Sequence, residues 1–363
     1  MADSSMVPAV IWYHNGEEGW SPIFELAHLA ARLLGADLFV KPTAPPGPLV
    51  KLWSLRPWAR APRSGPFALV ISAGPPHLIG HLSDPEMRSR YKRLIGWCID
   101  PFWTTVIPRT VRKSRMFEHL FITSAEDVPE WRRQVGDRVS WLPWGTDTLA
   151  CNGAEATRAW DVIRVGRQPP EWDDDATNSR ECAAHDLTYH PRPATFLGWQ
   201  ANQRVLRDLY SSGKYLLAFS NSAHRTVYTH PTRQYITARW TDSLACGLVV
   251  AGIPPHEPSI DALLWPTALL PFDSTDRREG LERLVAARAT WAPRVAAENR
   301  LRAMERLDWR WRLRAIVERA GIRSAPLDDE EALLKSQIAD DAQRYGFAPG
   351  PTGFSFATPS AAG

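Results

Sequence analysis

The sequence predicts an α/β protein of two Rossmann-like domains facing a cleft. Three observations predict it. The 363-residue length suits two domains of ordinary size, each able to bury a core. Short apolar runs alternate with helical patterns from Ala9 onward and again from Trp160 onward. The stretch Thr232 to Pro258, TRQYITARWTDSLACGLVVAGIPPHEP, reads as helix, glycine, strand and Pro-rich loop, half of a parallel α/β unit. The predicted boundaries are 1–150, 151–320, and a C-terminal helix with a disordered tail over 321–363.

In the first half, Ala9 to Tyr13 reads as strand one, and Pro22 to Leu34 as an amphipathic helix entered by Ser21 and Pro22. Ala36 to Val40 is strand two. The loop between strand one and this helix, HNGEEGWSP, carries Gly16 and Gly19 but is no dinucleotide fingerprint. Pro42 to Pro66 reads as a Pro-rich, basic loop or lid in which Lys51, Arg56, Arg60 and Arg63 interleave with Trp53 and Trp58. Phe67 to Ser72 and Leu94 to Ile99 are strands three and four. Asp100 follows strand four directly. It is either a site residue at the carboxyl end of a parallel strand or a cap for the next segment. Leu120 to Thr123 is a strand, with Ser124 as the expected cap of a helix behind it. Arg138 to Pro143 closes this half.

In the second half, Asp161 to Val165 is a strand that runs into Gly166-Arg167. Glu171 to Asp175 reads as a solvated acidic turn. Ala194 to Leu197 and Tyr215 to Ser220 read as strands around a basic helix, Asn202 to Tyr210. Ser220-Asn221-Ser222 ends the second of these. Arg233 to Ala245 reads as a helix, with Tyr235, Ile236, Trp240 and Leu244 roughly on one face. Gly247 is placed to end it in left-handed geometry, before the strand Leu248 to Val250. Ala268 to Pro271 continues the alternation. Val295 to Arg306, Asp308 to Ala320 and Leu327 to Tyr345 are helical.

Composition excludes several classes. No run approaches 18 apolar residues, so no membrane span is expected. The N-terminus lacks a signal-peptide layout. Cys98, Cys151, Cys182 and Cys246 are scattered without a C-x-x-C pair, so neither a zinc site nor a disulfide framework is indicated. A cytoplasmic, reduced protein is the expectation. His224, His230 and His256 lack metal-site spacing. The net charge of +3 hides an asymmetry: Lys41 to Arg115 holds 13 Lys and Arg against three acids, a local net of +10. This excess is either a merely basic surface or a site for an anionic partner.

Arg239 and Asp242 are one turn apart inside the central helix. An arginine fork suits a diphosphate, and a carboxylate one turn on suits ribose hydroxyls. An ordinary ion pair on a solvated face is the other reading of this spacing.

RWTDSLACG followed by LVVAGIPP resembles the nucleotide-sugar motif of GT-B glycosyltransferases, nearest to the spore-maturation-type family, itself similar to glycosyltransferase families 1 and 4. The resemblance covers roughly residues 90 to 320. It implies a GT-B fold whose late helix crosses back to the first domain, with LPWGTD (Leu142 to Asp147) as the hinge. It implies that Asp242 holds the donor ribose, and that Gly166, Arg167 and Arg239 meet the diphosphate. Gly16 lies where donor and acceptor would meet, and Ser220 lies on the donor side. Gln234 stands where many retaining relatives carry a second Glu. The implied activity is metal-independent transfer of a hexose or pentose from a nucleotide diphosphate sugar, with no further cofactor and a retaining outcome favoured. Arg167 and Arg239 would stabilise the leaving diphosphate. An inverting outcome would need a base, for which Asp100, Glu17 and His14 are the candidates. The basic first half suggests an anionic acceptor such as a nucleic acid carrying a modified base. A silent nucleotide-binding module and a GT-B epimerase are the alternatives on the same fold.

Overall fold

The structure is a computed structural model that describes residues 7–14, 20–44, 47–48, 65–151, 158–194, 198–223, 229–348 and 350–352. Gly16, Glu17, the Trp53 and Trp58 segment, His224 and most of the expected strand Ala194 to Leu197 lie outside them. The chain divides into two compact units. The first runs to Pro143 and includes Arg312–Glu330; the second is Trp144–Trp311 and continues from Glu331.

The first unit carries β1 (Ala9–His14), β2 (Asp37–Pro42), β3 (Phe67–Ser72), β4 (Arg93–Cys98), β5 (Phe117–Ile122) and β6 (Val139–Trp141). They form one parallel sheet in the order β2-β1-β3-β4-β5-β6. The central strands read as unbroken apolar runs because both sheet faces are covered; every residue of β3 is buried. Helix α1 (Ser21–Leu34) starts one residue earlier than Ser21 as a cap would give, and closes on Gly35 at φ +59°. Ser124 does not cap the next long helix, α2 (Val128–Val135). Its hydroxyl turns to Glu126 at 3.5 Å, and α2 begins after Asp127 without a side-chain cap.

Four residues of the expected basic cluster are engaged within this unit. Arg90 pairs with Asp37 at 3.1 Å, and Arg93 forks onto Glu118 at 2.9 and 3.1 Å. Arg88 donates to the Leu82 carbonyl at 3.1 Å. Lys41 pairs with Asp84 and Glu86 at 2.8 and 3.0 Å.

The second unit carries β7 (Trp160–Arg164), β8 (Tyr189–His190), β9 (Gly213–Leu217), β10 (Val249–Gly252) and β11 (Leu269–Pro271). These pair in parallel in the order β11-β10-β9-β7-β8. The second strand of the half is therefore Tyr189–His190. Its helices are α3 (Asp175–Ala184), α4 (Trp199–Ser212), α5 (Ala238–Ala245), α6 (Arg277–Thr290) and α7 (Pro293–Arg306). Trp172, Phe219 and Phe272 pack ring on ring in its core, with centroids 6.0 to 6.1 Å apart. The acidic turn is more than solvated surface: Asp173 and Asp175 both pair with the buried Arg164, and Asp174 caps α3.

Two helices close the described chain, α8 (Trp309–Ala320) and α9 (Ala325–Tyr345). Arg312–Glu330 belongs to the first unit, where the Arg93 guanidinium donates to the Ala320 carbonyl at 2.8 Å. Within the second unit, Thr146 and Leu307–Trp309 exchange backbone hydrogen bonds of 2.9 Å. Beside them the buried Asp308 accepts from the Thr148 and Arg310 amides at 3.1 and 2.7 Å. Arg310 also reaches Asp147 at 2.9 Å, so this buried ion cluster has its lone pairs satisfied. Among the described residues no helix is long and apolar enough to cross a membrane.

Candidate functional site

In each sheet the strand order reverses beside its first strand, between β1 and β3 and between β7 and β9. Connections leave such a point on opposite faces and open a crevice at the carboxyl ends. The exits of β7 and β9 in the second unit, with the start of α5, line a pocket. Its chemistry comes from Arg167 and Gln168 after β7, Ser220 and Asn221 after β9, and Thr237 and Arg239 at α5.

The helix here begins later than the sequence predicts. Residues 233–237 precede α5, and Thr237 is extended at φ −116°, ψ 168°. Tertiary hydrogen bonds hold this segment open. Asn221 donates to the Arg233 carbonyl at 2.8 Å. The Gln234 side-chain carbonyl accepts from the Ser220 hydroxyl at 2.8 Å, and from the Ser222 hydroxyl and the His256 amide at 3.2 Å. The apolar spacing of Tyr235 and Ile236 mimics a helix, but the unhelical segment brings Tyr235 and Thr237 to the pocket wall. Gly247 ends α5 in left-handed geometry at φ +86°, as expected.

The two arginines differ. Arg167 is exposed at the pocket. Arg239 is half-buried, and its guanidinium donates to the carbonyls of Arg167 at 2.7 Å and Phe219 at 2.8 Å, with a longer contact to Val165 at 3.5 Å. It ties the exit of β7 to the exit of β9. Burial pulls its pKa down to about 10, so it remains cationic at neutral pH. Gly166, at φ +73°, lies under it; a Cβ there would come within 3.4 Å of the guanidinium.

Asp242 does not line the pocket with Arg239. Its side chain is buried, accepts a hydrogen bond from the Thr146 hydroxyl, and sits 3.5 Å from the Thr241 hydroxyl. Burial raises its carboxyl to about 6, against those hydrogen bonds. The structure thus brings Gly166, Arg167, Ser220 and Arg239 together and leaves Asp242 behind the pocket wall. In the first unit, Asp100 follows β4. It caps no helix, its carboxyl has no hydrogen-bond or ion-pair partner among the described residues, and burial raises it to about 7.

Sequence reasoning named Asn221 in the strand-end triplet Ser220-Asn221-Ser222 and missed two groups, Gln168 and Thr237. Gln168, Asn221 and Thr237 line the pocket, and each has a buried side-chain oxygen with no hydrogen-bond partner among the described residues. Thr237 was findable as a threonine before a helix start. Gln168 was findable only as a neighbour of Arg167. No cluster of His, Cys, Asp and Glu placed for a metal ion occurs among the described residues.

No family model matches the chain, and no curated protein matches it. Among solved structures it is similar to AviGT4, a glycosyltransferase involved in avilamycin A biosynthesis, at 13% identity and TM-score 0.49. That match covers 86% of this chain and 97% of the other. It is similar to the lipopolysaccharide outer core galactosyltransferase WaaB at 10% identity and TM-score 0.43, covering 86% and 99%. It is similar to the glycosyltransferase SnogD from Streptomyces nogalater at 13% identity and TM-score 0.40, covering 87% and 99%. At these scores no activity is carried over from any of them. The α/β class and the two parallel-sheet units stand on the strand order itself.

Proposed function

We propose that the second unit binds the nucleotide diphosphate portion of a sugar donor, and that the protein is a glycosyltransferase. The observation that carries this reading is the pocket at the β7/β9 switch point, where cationic and orphaned neutral groups meet. Arg167, the Arg239 charge and the N-terminal end of α5 suit an anion. Gln168, Ser220, Asn221 and Thr237 add neutral polar groups to the lining. A nucleotide diphosphate sugar has both kinds of group. Arg167 would draw the leaving diphosphate's charge as the bond to the sugar breaks. Arg239 would set the shape of the pocket that receives it. The acceptor stays open between a nucleic acid and other classes; Arg88, Arg90 and Arg93 are held in intramolecular bonds.

The test is a panel of nucleotide sugars with detection of released nucleoside diphosphate. Release from one donor by the purified protein is expected. Calorimetric binding without release from any donor would leave a nucleotide-binding module. Neither release nor binding would overturn the reading.

A further inference from the structure

We infer that the first unit carries a docking patch for a nucleic-acid strand at the amino-terminal edge of its sheet, built from Lys92, Arg112, Lys113, Arg115 and Arg319. The patch is separate from the donor pocket and does not depend on the donor reading. Strands β4, β5 and β6 are parallel neighbours, so their first residues lie side by side at one edge. Lys92 directly precedes β4, Arg115 stands just before β5, and Arg138 directly precedes β6. Neighbouring strands are about 5 Å apart, which brings these cations into one row. Arg112 and Lys113 sit on the short helix Arg109–Lys113 that leads into β5. Arg138 pins the end of that helix, donating to the carbonyls of Ser114 at 2.8 Å, Val111 at 3.2 Å and Phe117 at 3.3 Å. Arg319 joins from the end of α8, where the Ala320 carbonyl accepts from Arg93, the first residue of β4.

The five patch cations are exposed, and none has a side-chain hydrogen bond or ion pair among the described residues. Elsewhere on this unit the exposed arginines find acids, as Arg32 does in Glu330, Arg90 in Asp37 and Arg314 in Asp328. At the patch Glu118 is occupied by Arg93, which leaves Asp137 and Glu318 as the remaining acids of these segments. The cations feel one another: burial and then the Arg115 charge pull Arg138 down to about 10, and burial and then the Arg319 and Arg132 charges pull His119 of β5 down to about 3. Such an uncompensated row suits a chain of phosphates. Its position favours a long partner. Six residues of β4 span about 20 Å, and the crevice of this sheet opens at the opposite edge. A small anion bound at the patch stays at that edge, whereas a polymer strand extends beyond it. None of the exposed large apolar side chains belongs to the patch, so it has no wedge for a lipid surface.

The test is fluorescence anisotropy on the full chain with labelled duplex DNA, single-stranded DNA and RNA over a salt series, beside sedimentation with phosphatidylserine–phosphatidylcholine vesicles. Five neutralised phosphates give a log–log salt slope of roughly −4.5 on duplex DNA and roughly −3.5 on a single strand. The triple variant Arg112→Gln, Lys113→Gln, Arg115→Gln should flatten that slope by about 2–3 and weaken binding at low salt by about 10-fold or more. A matched triple in the second unit, Arg180→Gln, Arg204→Gln, Arg278→Gln, removes the same charge and should bind within about 3-fold of the parent. All six side chains are exposed, so both variants should melt within about 2 °C of the parent. The parent's salt series stands even if a variant fails to fold. The nucleic acid bound tightest names the source of the phosphates. Equal losses in the two triples would overturn the patch as the site. So would a parent that binds no nucleic acid at about 50 mM salt, or one that binds the vesicles and no nucleic acid. Nucleoside diphosphate binding should be unchanged in the patch triple, so either failure leaves the donor reading intact.

Discussion

Arg239 and Arg167 look alike in the sequence, and the structure predicts opposite phenotypes for them. Arg239 makes two short charge-assisted hydrogen bonds, 2.7 and 2.8 Å, that join the β7 and β9 exits. Hydrogen bonds to charged groups contribute about 1.5–3 kcal/mol each. The side chain is half-buried, so water recovers part of the loss in Arg239→Ala, and a net cost of about 2–4 kcal/mol remains. For a unit of this size about 1 kcal/mol moves the melting temperature by roughly 2–4 °C. Arg239→Ala should therefore melt about 5–15 °C lower. Arg239→Lys keeps one bond at most and should recover no more than half. Arg167 is exposed, so Arg167→Ala should melt within about 2 °C of the parent. It should nevertheless weaken nucleoside diphosphate binding by about 10-fold or more, since it removes a guanidinium from the ligand's path. Scanning calorimetry and isothermal titration on the same preparations separate the two effects. The reasoning is refuted if Arg239→Ala melts like the parent, or if Arg167→Ala loses stability while its affinity is unchanged.

Three further outcomes are expected. Gly252 sits at φ +143°, and a Cβ there would fall 2.0 Å from the Ala218 carbonyl, so Gly252→Ala should lose at least about 3 kcal/mol in urea unfolding; a parent-like midpoint would contradict this. Asp242 has a folded pKa of about 6, above the ordinary 3.8, so the folded state holds the proton more tightly and ionisation opposes folding. That penalty is absent below about pH 4, grows through pH 6 and is complete above it. Asp242→Asn should match the parent at pH 4 and exceed it at pH 7.5 by on the order of 2–3 kcal/mol, and equal gains at both pH values would show that another cause acts. Gln234 accepts from three donors, so Gln234→Glu should fold with a melting point within about 2 °C of the parent. Gln234→Leu orphans the His256 amide and two hydroxyls, and should cost about 1–3 kcal/mol; a neutral Leu would mean these bonds hold nothing.

The parallel strands were legible because burial on both faces writes itself as unbroken apolar runs: Phe67 to Ser72 is the same strand in sequence and structure. Gly247 was legible because a helix meeting a strand within three residues requires a left-handed turn there. The start of α5 was not. Tyr235 and Ile236 keep the helical spacing, and contacts from residues such as Asn221, Ser220, Ser222 and His256 hold their segment out of the helix. The different surroundings of Arg239 and Asp242 have the same origin. Spacing of three places two side chains on adjoining sides of a helix, but their partners decide where they point. Arg239 is drawn to strand exits at Arg167 and Phe219, and Asp242 to Thr146, residues far away in the chain.

The two sheets share one strand order around their switch points, and the residues at the strand exits separate them chemically. After β7 and β9 come arginines and amides whose oxygens are orphaned. At the ends of β3 and β4 stand Ser72, Cys98 and Asp100, with the first two fully buried. A carboxyl raised to about 7 repels an anion as it ionises, so the exit of β4 is unsuited to a diphosphate. At the second switch point, Arg167 stands exposed beside Arg239 and the start of α5, an arrangement that suits an anion.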